Sequence, residues 1–144
     1  MHTSATPGDL EYLSFSLGQE EFAISIQQVQ EIRSYETPTK IATAPEHVKG
    51  VINLRGAIVP IHDLRVKLNT GPALYDNATA IIVANVGLNT HGFVVDRVSD
   101  VVVISESQKH PLPPMGSGNT DHILGLGVID DKTFTLVDAA KLCA

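Results

Sequence analysis

The sequence predicts an all-β protein built from two small antiparallel barrels. Candidate strands recur about every 8–12 residues and are separated by short turns, a spacing typical of small barrels. Of the 144 residues, 43% are hydrophobic but only 5% are aromatic, so the core must consist mainly of Val, Ile and Leu, which favour β-structure. Two short sequence patterns also occur twice along the chain, which indicates two copies of one β-rich module.

The first segment of the chain predicts a β-hairpin. Leu13, Phe15 and Leu17 alternate with more polar residues, which is the pattern of a strand with one buried face. A turn at residues 18–20 leads into a return strand at residues 22–26. The first strand can pair within the first barrel or cross to the second, and the sequence leaves both arrangements open.

A helical turn or bend is expected after this hairpin. Val29 and Ile32 are spaced i, i+3, as two neighbours on one helical face are, and this spacing leaves Glu31 pointing outward. Thr37-Pro38 then ends the segment, and a loop follows.

The chain is organised around residues 50–68, which predict a strand, a tight turn, a second strand and a capped helix. Apolar, β-favouring residues flank Arg55 and Gly56, and a glycine can take the positive φ of a tight turn. Arg55 therefore projects from a hairpin tip. Asp63 precedes a short helix over residues 64–68 and caps it by accepting bonds from its first free N–H groups.

A linker separates the two predicted modules. Residues 69–77 are rich in turn-forming residues and divide the chain into a first barrel at 10–76 and a second at 77–144. Residues 108–119 carry three prolines and two glycines, which predicts an exposed loop rather than a sheet element. Further strands are expected at residues 78–86, 92–96 and 101–104.

Two repeated patterns support the duplication. Gly50 precedes Asp63 by thirteen positions, and Gly125 precedes Asp138 by the same thirteen. A pattern of an aliphatic residue, two polar residues, a valine, any residue, an acid and an aliphatic residue also occurs twice. This second pattern lies at residues 26–32 and 95–101.

Composition and charge argue against several classes of function. With a net charge of −6 and scattered cations, the chain lacks the concentrated Lys and Arg that nucleic-acid binding needs. The single Cys143 excludes an internal disulfide and a Cys-based zinc site, and it fits a reducing compartment. No apolar run approaches the roughly 20 residues that cross a bilayer, and no signal peptide is evident. We therefore expect a cytoplasmic protein without direct membrane insertion.

No catalytic, cofactor or metal motif is evident. The six histidines are scattered, and none lies at ligand spacing from another histidine or from the cysteine. Adjacent residues of a strand point to opposite faces, so the pair His62-Asp63 is better explained by Asp63 as the cap and His62 at the surface. Nucleophile elbows and phosphate-binding loops are missing. These features predict a protein that is not an enzyme and that needs no cofactor.

Several residues suit protein binding instead. Arg55 beside aliphatic Ile58 is typical of an interface core, although a solvated turn residue is an equal alternative. Val29 and Val98 hold equivalent places in the repeat and either line a groove between the modules or belong to the core, the second being favoured. Met115 lies in the proline-rich loop, where a flexible side chain suits an adaptable binding surface.

The run at residues 50–65 closely resembles the signature of the CheW family, the coupling proteins of bacterial chemotaxis. Segments at 22–26, 92–96 and 123–127 also fall where that family has recurring segments, and the resemblance covers residues 10–142. It implies two five-stranded, SH3-like β-barrels packed together, with short helical segments. It also implies a non-enzymatic adaptor that links the cytoplasmic tips of methyl-accepting chemoreceptors to the regulatory domain of the histidine kinase CheA, in arrays at the membrane.

The resemblance also implies roles for individual residues. Backbone geometry rather than side-chain contact matters at Gly50. Arg55 and Ile58 match the hairpin surface that meets the kinase. His110 and Met115 match a loop that some relatives use for a second kinase contact, although relatives can present Arg and an aromatic residue there. The positions that match the receptor groove are Val29, Glu31, Gly92, Val98 and Val101.

Two other functions are compatible with the sequence. A CheW-like adaptor can serve a chemosensory pathway that controls something other than swimming. A small-ligand-binding barrel is also conceivable, since barrel mouths host ligands, but the scarcity of aromatic residues argues against it. Binding to other copies of the adaptor and a monomeric state both stay open.

Overall fold

The structure, a computed structural model, describes residues 10–71, 74–114 and 120–143. These residues form two β-sheets and two short helices, which confirms the predicted all-β fold with short helical segments. No helix among them is long and apolar enough to cross a lipid bilayer. The elements are β1 (Glu11–Leu17), β2 (Glu20–Ser25), β3 (Val29–Ser34), β4 (Val48–Leu54), β5 (Ala57–Asp63), α1 (Leu64–Lys67), β6 (Ala80–Val86), β7 (Asn89–Val95), β8 (Arg97–Val103), β9 (Lys109–His110), β10 (Ile123–Ile129), β11 (Lys132–Val137) and α2 (Ala139–Leu142).

The two sheets have matching strand orders. The six-stranded sheet runs β8-β1-β2-β11-β10-β9, and the five-stranded sheet runs β3-β6-β7-β5-β4. Each sheet is antiparallel except for one central pair, which is β2 with β11 in the first and β7 with β5 in the second. Strands that correspond in the sequence repeat therefore occupy corresponding places in the two sheets, which supports a duplicated module.

The two halves of the chain exchange their first hairpins. The β1–β2 hairpin pairs with β8 and β11, whereas the β6–β7 hairpin pairs with β3 and β5. The first strand thus crosses to the sheet that the second half builds, which decides the alternative left open by the sequence. Each sheet contains strands from both halves, so the predicted boundary between residues 76 and 77 does not coincide with the division between the sheets.

The sheets face each other across the largest hydrophobic cluster, which we call the shared core. Leu13, Phe15 and Leu17 of β1 enter it from one side, and residues of β6 and β7 enter it from the other. Each sheet also has a smaller cluster on its opposite face. Strand β1 was predicted to be half-buried, but it is buried on both faces. Tyr12 and Ser14, whose side chains point away from the shared core, are only 8% and 2% exposed.

The central strand–turn–strand–helix unit is confirmed. Arg55 and Gly56 form the two-residue turn between β4 and β5, with φ values of 51° and 92°. The carboxylate of Asp63 accepts hydrogen bonds from the N–H groups of Arg65 at 3.0 Å and Val66 at 3.4 Å. These bonds satisfy the first free donors of α1 and fix where the helix begins.

The second copy reproduces the first in detail. Asp138 caps α2 by accepting a hydrogen bond from a helix N–H at 3.3 Å. Gly50 and Gly125 lie at equivalent irregularities in β4 and β10, with φ values of 145° and 154°. A Cβ at Gly50 would overlap the carbonyl oxygen of Thr39, and one at Gly125 would lie 2.8 Å from the carbonyl oxygen of His110. Both positions need glycine because another backbone segment passes close to them.

Two local predictions are wrong. Residues 29–32 do not form a helical turn, because Val29–Ser34 is strand β3 and the only helical geometry nearby is the 3₁₀ turn Ile26–Gln28. Pairing with β6 satisfies the backbone of this segment and overrides the i, i+3 spacing. The predicted loop at 108–119 also contains a short strand, since Lys109–His110 pairs with β10.

Candidate functional site

Val29 and Val98 occupy equivalent positions at the margin of the shared core, and we use the name inter-sheet groove for the surface around these two residues, where the resemblance predicts a groove. Val29 begins β3 opposite Ala84, and Val98 lies in β8 opposite Phe15. Both valine side chains are half-buried and pack against the shared core. This packing agrees with the interpretation of both valines as core residues, and their role as a groove wall stays a prediction.

The other two aliphatic or small residues assigned to the groove differ in exposure. Val101 lies further along β8 and is 48% exposed, so its apolar side chain is accessible to solvent. Gly92 is buried in β7, where a Cβ would lie 2.7 Å from Cδ1 of Ile61. Its contribution is to the packing of β7 against its own sheet.

Glu31 connects the groove to the β4–β5 hairpin. Its carboxylate accepts hydrogen bonds from Nη1 of Arg33 at 3.3 Å and from Nη2 of Arg55. The hydrogen bond from Arg55, aided by Arg33, lowers the pKa of Glu31 below its usual value. Two residues that the resemblance assigns to different partners, Glu31 and Arg55, therefore contact each other.

The hairpin tip, which consists of Arg55, Gly56 and Ile58, is open to solvent. The Arg55 side chain is 65% exposed and Ile58 is 63% exposed. The N–H of Gly56 donates to Oδ1 of Asn53 at 2.8 Å, which holds the turn in shape. A cation and an apolar side chain are thus presented together on a rigid turn.

Of the two candidate residues in the predicted proline-rich loop, His110 and Met115, the structure describes one. His110 is exposed in β9, at one edge of the six-stranded sheet, beside an open pocket of about 330 Å³ that Tyr12 and Leu124 also line. Met115 lies outside the described residues.

Asp63 is the most buried charged residue near these surfaces. It is 1% exposed, and besides capping α1 it accepts a hydrogen bond from the Tyr75 hydroxyl at 2.6 Å. Burial and the nearby carboxylate raise the pKa of Tyr75. The expected role of Asp63 as a cap thus includes a second anchor, to the segment that precedes β6.

A histidine cluster at one end of the five-stranded sheet was missed by the sequence reasoning. His62, expected at the surface, is only 4% exposed, because neighbouring rings pack against its side chain. Its ring centroid lies 5.6 Å from that of His47 and 5.5 Å from that of Phe93, and its Nε2 lies 3.0 Å from Nδ1 of His91. Burial, followed by the other two histidines, lowers the pKa of His62 to about 4, so its ring is neutral at pH 7.

Cys143 completes this cluster. The ring nitrogens of His62 and His91 and the sulfur of Cys143 include a set of atoms that all lie within 4.8 Å of one another. The thiol donates to the carbonyl oxygen of Ala139 at 3.1 Å, and burial raises its pKa. The sequence carries no short motif for this cluster, because only the pairing of β5 with β7 and the position of α2 bring its members together.

Comparison with known proteins agrees with the fold and with the resemblance. The sequence profile of the CheW-like domain family matches residues 11–144. The chain is 47% identical over 133 residues to "Chemotaxis protein CheW" of Klebsiella aerogenes, covering 92% of this chain and 80% of that protein. It is 39% identical over 134 residues to "Chemotaxis protein CheW" of Rhizobium meliloti, covering 92% and 86%. The crystal structure of the scaffolding protein TtCheW from Thermoanaerobacter tengcongensis superposes with a TM-score of 0.87 at 30% identity, covering 93% and 92% of the two chains.

Proposed function

This chain belongs to the CheW family of chemotaxis scaffold and adaptor proteins, and from that premise we propose that it couples chemoreceptor cytoplasmic tips to the histidine kinase CheA. The family is one of scaffolds rather than enzymes, so the proposed activity is the simultaneous binding of two partners. Its place in the cell is then at membrane-bound chemoreceptor arrays.

The single observation that supports this proposal is the ion pair that joins Glu31, two residues from Val29 on β3, to Arg55 of the hairpin tip. The inter-sheet groove offers Val29 and Val98, and the hairpin tip offers Arg55 and Ile58. The groove suits one apolar face of a receptor helix, which is the helix-in-groove mode of recognition. The hairpin tip suits a small patch on the kinase regulatory domain, with Arg55 as the anchor.

The contact between Glu31 and Arg55 provides a physical link between these surfaces. Glu31 neutralises Arg55 when the groove is empty. A receptor group that engages Glu31 releases Arg55 from its ion pair and changes the orientation of its side chain at the kinase surface. Signalling then proceeds as a shift in the population of kinase-competent arrangements, without chemistry in the adaptor. Weak contacts are sufficient because the array tethers many of them together.

The test is a titration of the full chain with the isolated CheA regulatory domain and with a receptor tip fragment, followed by NMR shift mapping. We expect the kinase domain to perturb the hairpin tip and the receptor fragment to perturb the groove. Arg55→Ala is expected to weaken kinase binding at least about tenfold. Val98→Met, which fills the groove, is expected to weaken receptor binding by a similar factor.

Two matched controls make the result specific. Lys132→Ala removes an exposed cation from the equivalent β10–β11 hairpin and should leave kinase binding unchanged. Thr133→Met places a larger apolar side chain on the exposed surface of the β10–β11 hairpin, outside β3 and β8, and should leave receptor binding unchanged. Absence of binding to both partners at about 100 μM would contradict the adaptor function. Normal binding by the Arg55 and Val98 variants would instead contradict the assignment of these two surfaces.

A further inference from the structure

Three potential metal ligands converge at one end of the five-stranded sheet. His62 lies in β5, His91 lies in β7, and Cys143 follows α2. A set of their ligand atoms lies within 4.8 Å of one another. In a tetrahedral zinc site with ordinary bond lengths, such atoms are about 3.3–3.8 Å apart. Small side-chain rotations therefore suffice to bring the three groups to coordination distance.

The close approach of His62 to His91 is a second indication of a ligand. The His62 ring is buried, with 4% of the residue exposed, and its Nδ1 has no hydrogen-bond partner among the described residues. The ring therefore depends on one nitrogen for its polar contact. The other nitrogen, Nε2, lies 3.0 Å from Nδ1 of His91. An ion between the two rings replaces this single shared contact with two coordinate bonds.

The duplicated fold supplies an internal comparison. Because β11 pairs with β2 in the same register as β5 with β7, each member of the cluster has an identifiable counterpart in the other copy. All three counterparts are apolar and pack against the shared core. Apolar side chains are therefore sufficient for packing at these positions. The three coordinating groups at the equivalent positions indicate a role other than packing. The counterparts of His62, His91 and Cys143 are Val137, Phe22 and Leu68.

We propose that His62, His91 and Cys143 bind one borderline-soft divalent metal ion, for which Zn²⁺ is the best match. Two imidazole nitrogens and one thiolate are ligands that this class of ion prefers, whereas Mg²⁺ and Ca²⁺ require oxygen ligands. Three protein ligands leave a fourth position for water or for His47, whose ring centroid lies 5.6 Å from that of His62. The presence of a single cysteine excludes an all-cysteine site but not this mixed one.

The ion joins elements that lie far apart in the sequence. It links two strands of the five-stranded sheet to the segment after α2, which belongs to the other copy of the module. On binding, the Cys143 thiol loses its proton and its hydrogen bond to Ala139, and the thiolate takes the metal instead. Lys67 and Asp138 are the charged groups that act on the thiol from the two helices. The proposed metal site does not depend on the proposed adaptor function.

The test uses the full chain without a histidine tag, reduced and treated with a chelator that is then removed. Co²⁺ serves as the spectroscopic probe, because a thiolate bound to tetrahedral Co²⁺ gives a charge-transfer band in the near ultraviolet. We expect one Co²⁺ per chain with this band, displacement by one equivalent of Zn²⁺, and a raised unfolding temperature with Zn²⁺. Cys143→Ser should abolish the band, and His91→Ala should weaken binding at least about 100-fold.

The matched control is His122→Ala, which removes the histidine at the counterpart of His47 and should leave Co²⁺ binding unchanged. Both Cys143 and His91 are only half-buried, so their variants should fold, and circular dichroism checks that they do. Absence of the charge-transfer band in the wild-type protein would overturn the proposal. So would Co²⁺ binding that is the same in the wild type and in the Cys143→Ser and His91→Ala variants.

Discussion

The β4–β5 and β10–β11 hairpins have the same backbone but present different chemistry. Arg55 and Asp130 begin equivalent turns and have nearly equal φ values of 51° and 54°. Further along the returning strands, exposed Ile58 corresponds to the more polar Thr133. One hairpin therefore shows a cation beside an apolar side chain, whereas the other shows two acids and Lys132 beside a hydroxyl. The difference teaches that the repeat determines the backbone geometry, while the individual side chains determine which partner can bind.

The ends of the two modules differ in the same way. Around β5 and β7 the buried positions carry imidazole and thiol groups, and around β11 and β2 they carry hydrocarbon. The second end also has an open, mostly apolar pocket of about 430 Å³, which is lined by residues that include Phe22, Leu68 and His122. The duplicated scaffold thus tolerates both polar and apolar groups at the same positions.

The largest expected effect concerns the glycines that the two copies share. Gly50→Ala should destabilise the protein by at least about 3 kcal/mol, because the new Cβ overlaps the Thr39 carbonyl oxygen at a positive φ. Gly125→Ala should lower the free energy of unfolding by about 2 kcal/mol, because its new Cβ would overlap the His110 carbonyl oxygen less severely. Urea unfolding measures both values.

Gly56→Ala is the control for these two substitutions. Gly56 also has a positive φ, but nothing lies within 4 Å of an added Cβ, so only the backbone strain of about 1 kcal/mol remains. If all three variants were equally destabilised, the close backbone contacts at Gly50 and Gly125 would add nothing to the cost of the positive φ alone.

A smaller difference is expected between the two helix caps. Asp63→Ala should cost about 2–3 kcal/mol, because this buried carboxylate holds two helix N–H groups and the Tyr75 hydroxyl. Asp138→Ala should cost about 1 kcal/mol, because its carboxylate accepts fewer and longer bonds. Thermal unfolding of both variants provides the comparison, and Tyr75→Phe isolates the share of the hydroxyl contact. Equal losses at the two caps would show that the additional anchor of Asp63 contributes nothing.

The smallest expected effect is a pH-dependent change in stability at Asp96. This residue of the second copy forms an ion pair that the first copy lacks. Asp96 accepts hydrogen bonds from Nε of Arg65 and from the N–H of Gly18, both at 2.6 Å, whereas its counterpart in the repeat is the uncharged Gln27. Burial raises the pKa of Asp96, but these donors outweigh it, so the net pKa lies below the usual 3.8. The folded state therefore favours the carboxylate, which stabilises the protein above that pH and loses its effect as the pH falls through the folded value.

Asp96→Asn should accordingly lower the free energy of unfolding by about 1 kcal/mol at pH 7. This gap in stability between the variant and the wild type should become smaller below pH 4. Denaturant unfolding at a series of pH values measures this gap. A gap that stays constant down to pH 2 would mean that the charge of Asp96 does not stabilise the fold. Gln27→Ala, at the uncharged counterpart, should show no such dependence.

The features that the sequence predicted well are determined locally. The turn at Arg55-Gly56 and the cap at Asp63 each depend on residues within three positions, and the structure contains both. Their recurrence around Gly125 and Asp138 was visible for the same reason. Because the chemistry of a turn or a cap is contained in a few neighbouring residues, such features can be read from a single chain.

The features that the sequence did not reveal depend on distant pairing. The i, i+3 spacing of Val29 and Ile32 suggested a helical turn, but pairing with a strand some fifty residues later decided the conformation. His62 appeared to be a surface residue, because nothing near it in the chain shows which rings pack against its side chain. The clustering of His62 with His91 and Cys143 required the same long-range information.

The exchange of hairpins between the two halves has a consequence for biosynthesis. The β1–β2 hairpin leaves the ribosome first, yet its partners β8 and β11 are among the later strands. At the usual rate of translation, the interval between β2 and β11 is roughly 5–20 s. During that time both edges of the hairpin carry unpaired backbone groups, whereas the five-stranded sheet is complete as soon as β7 has emerged. The strands that are made earliest therefore wait longest for their pairing partners.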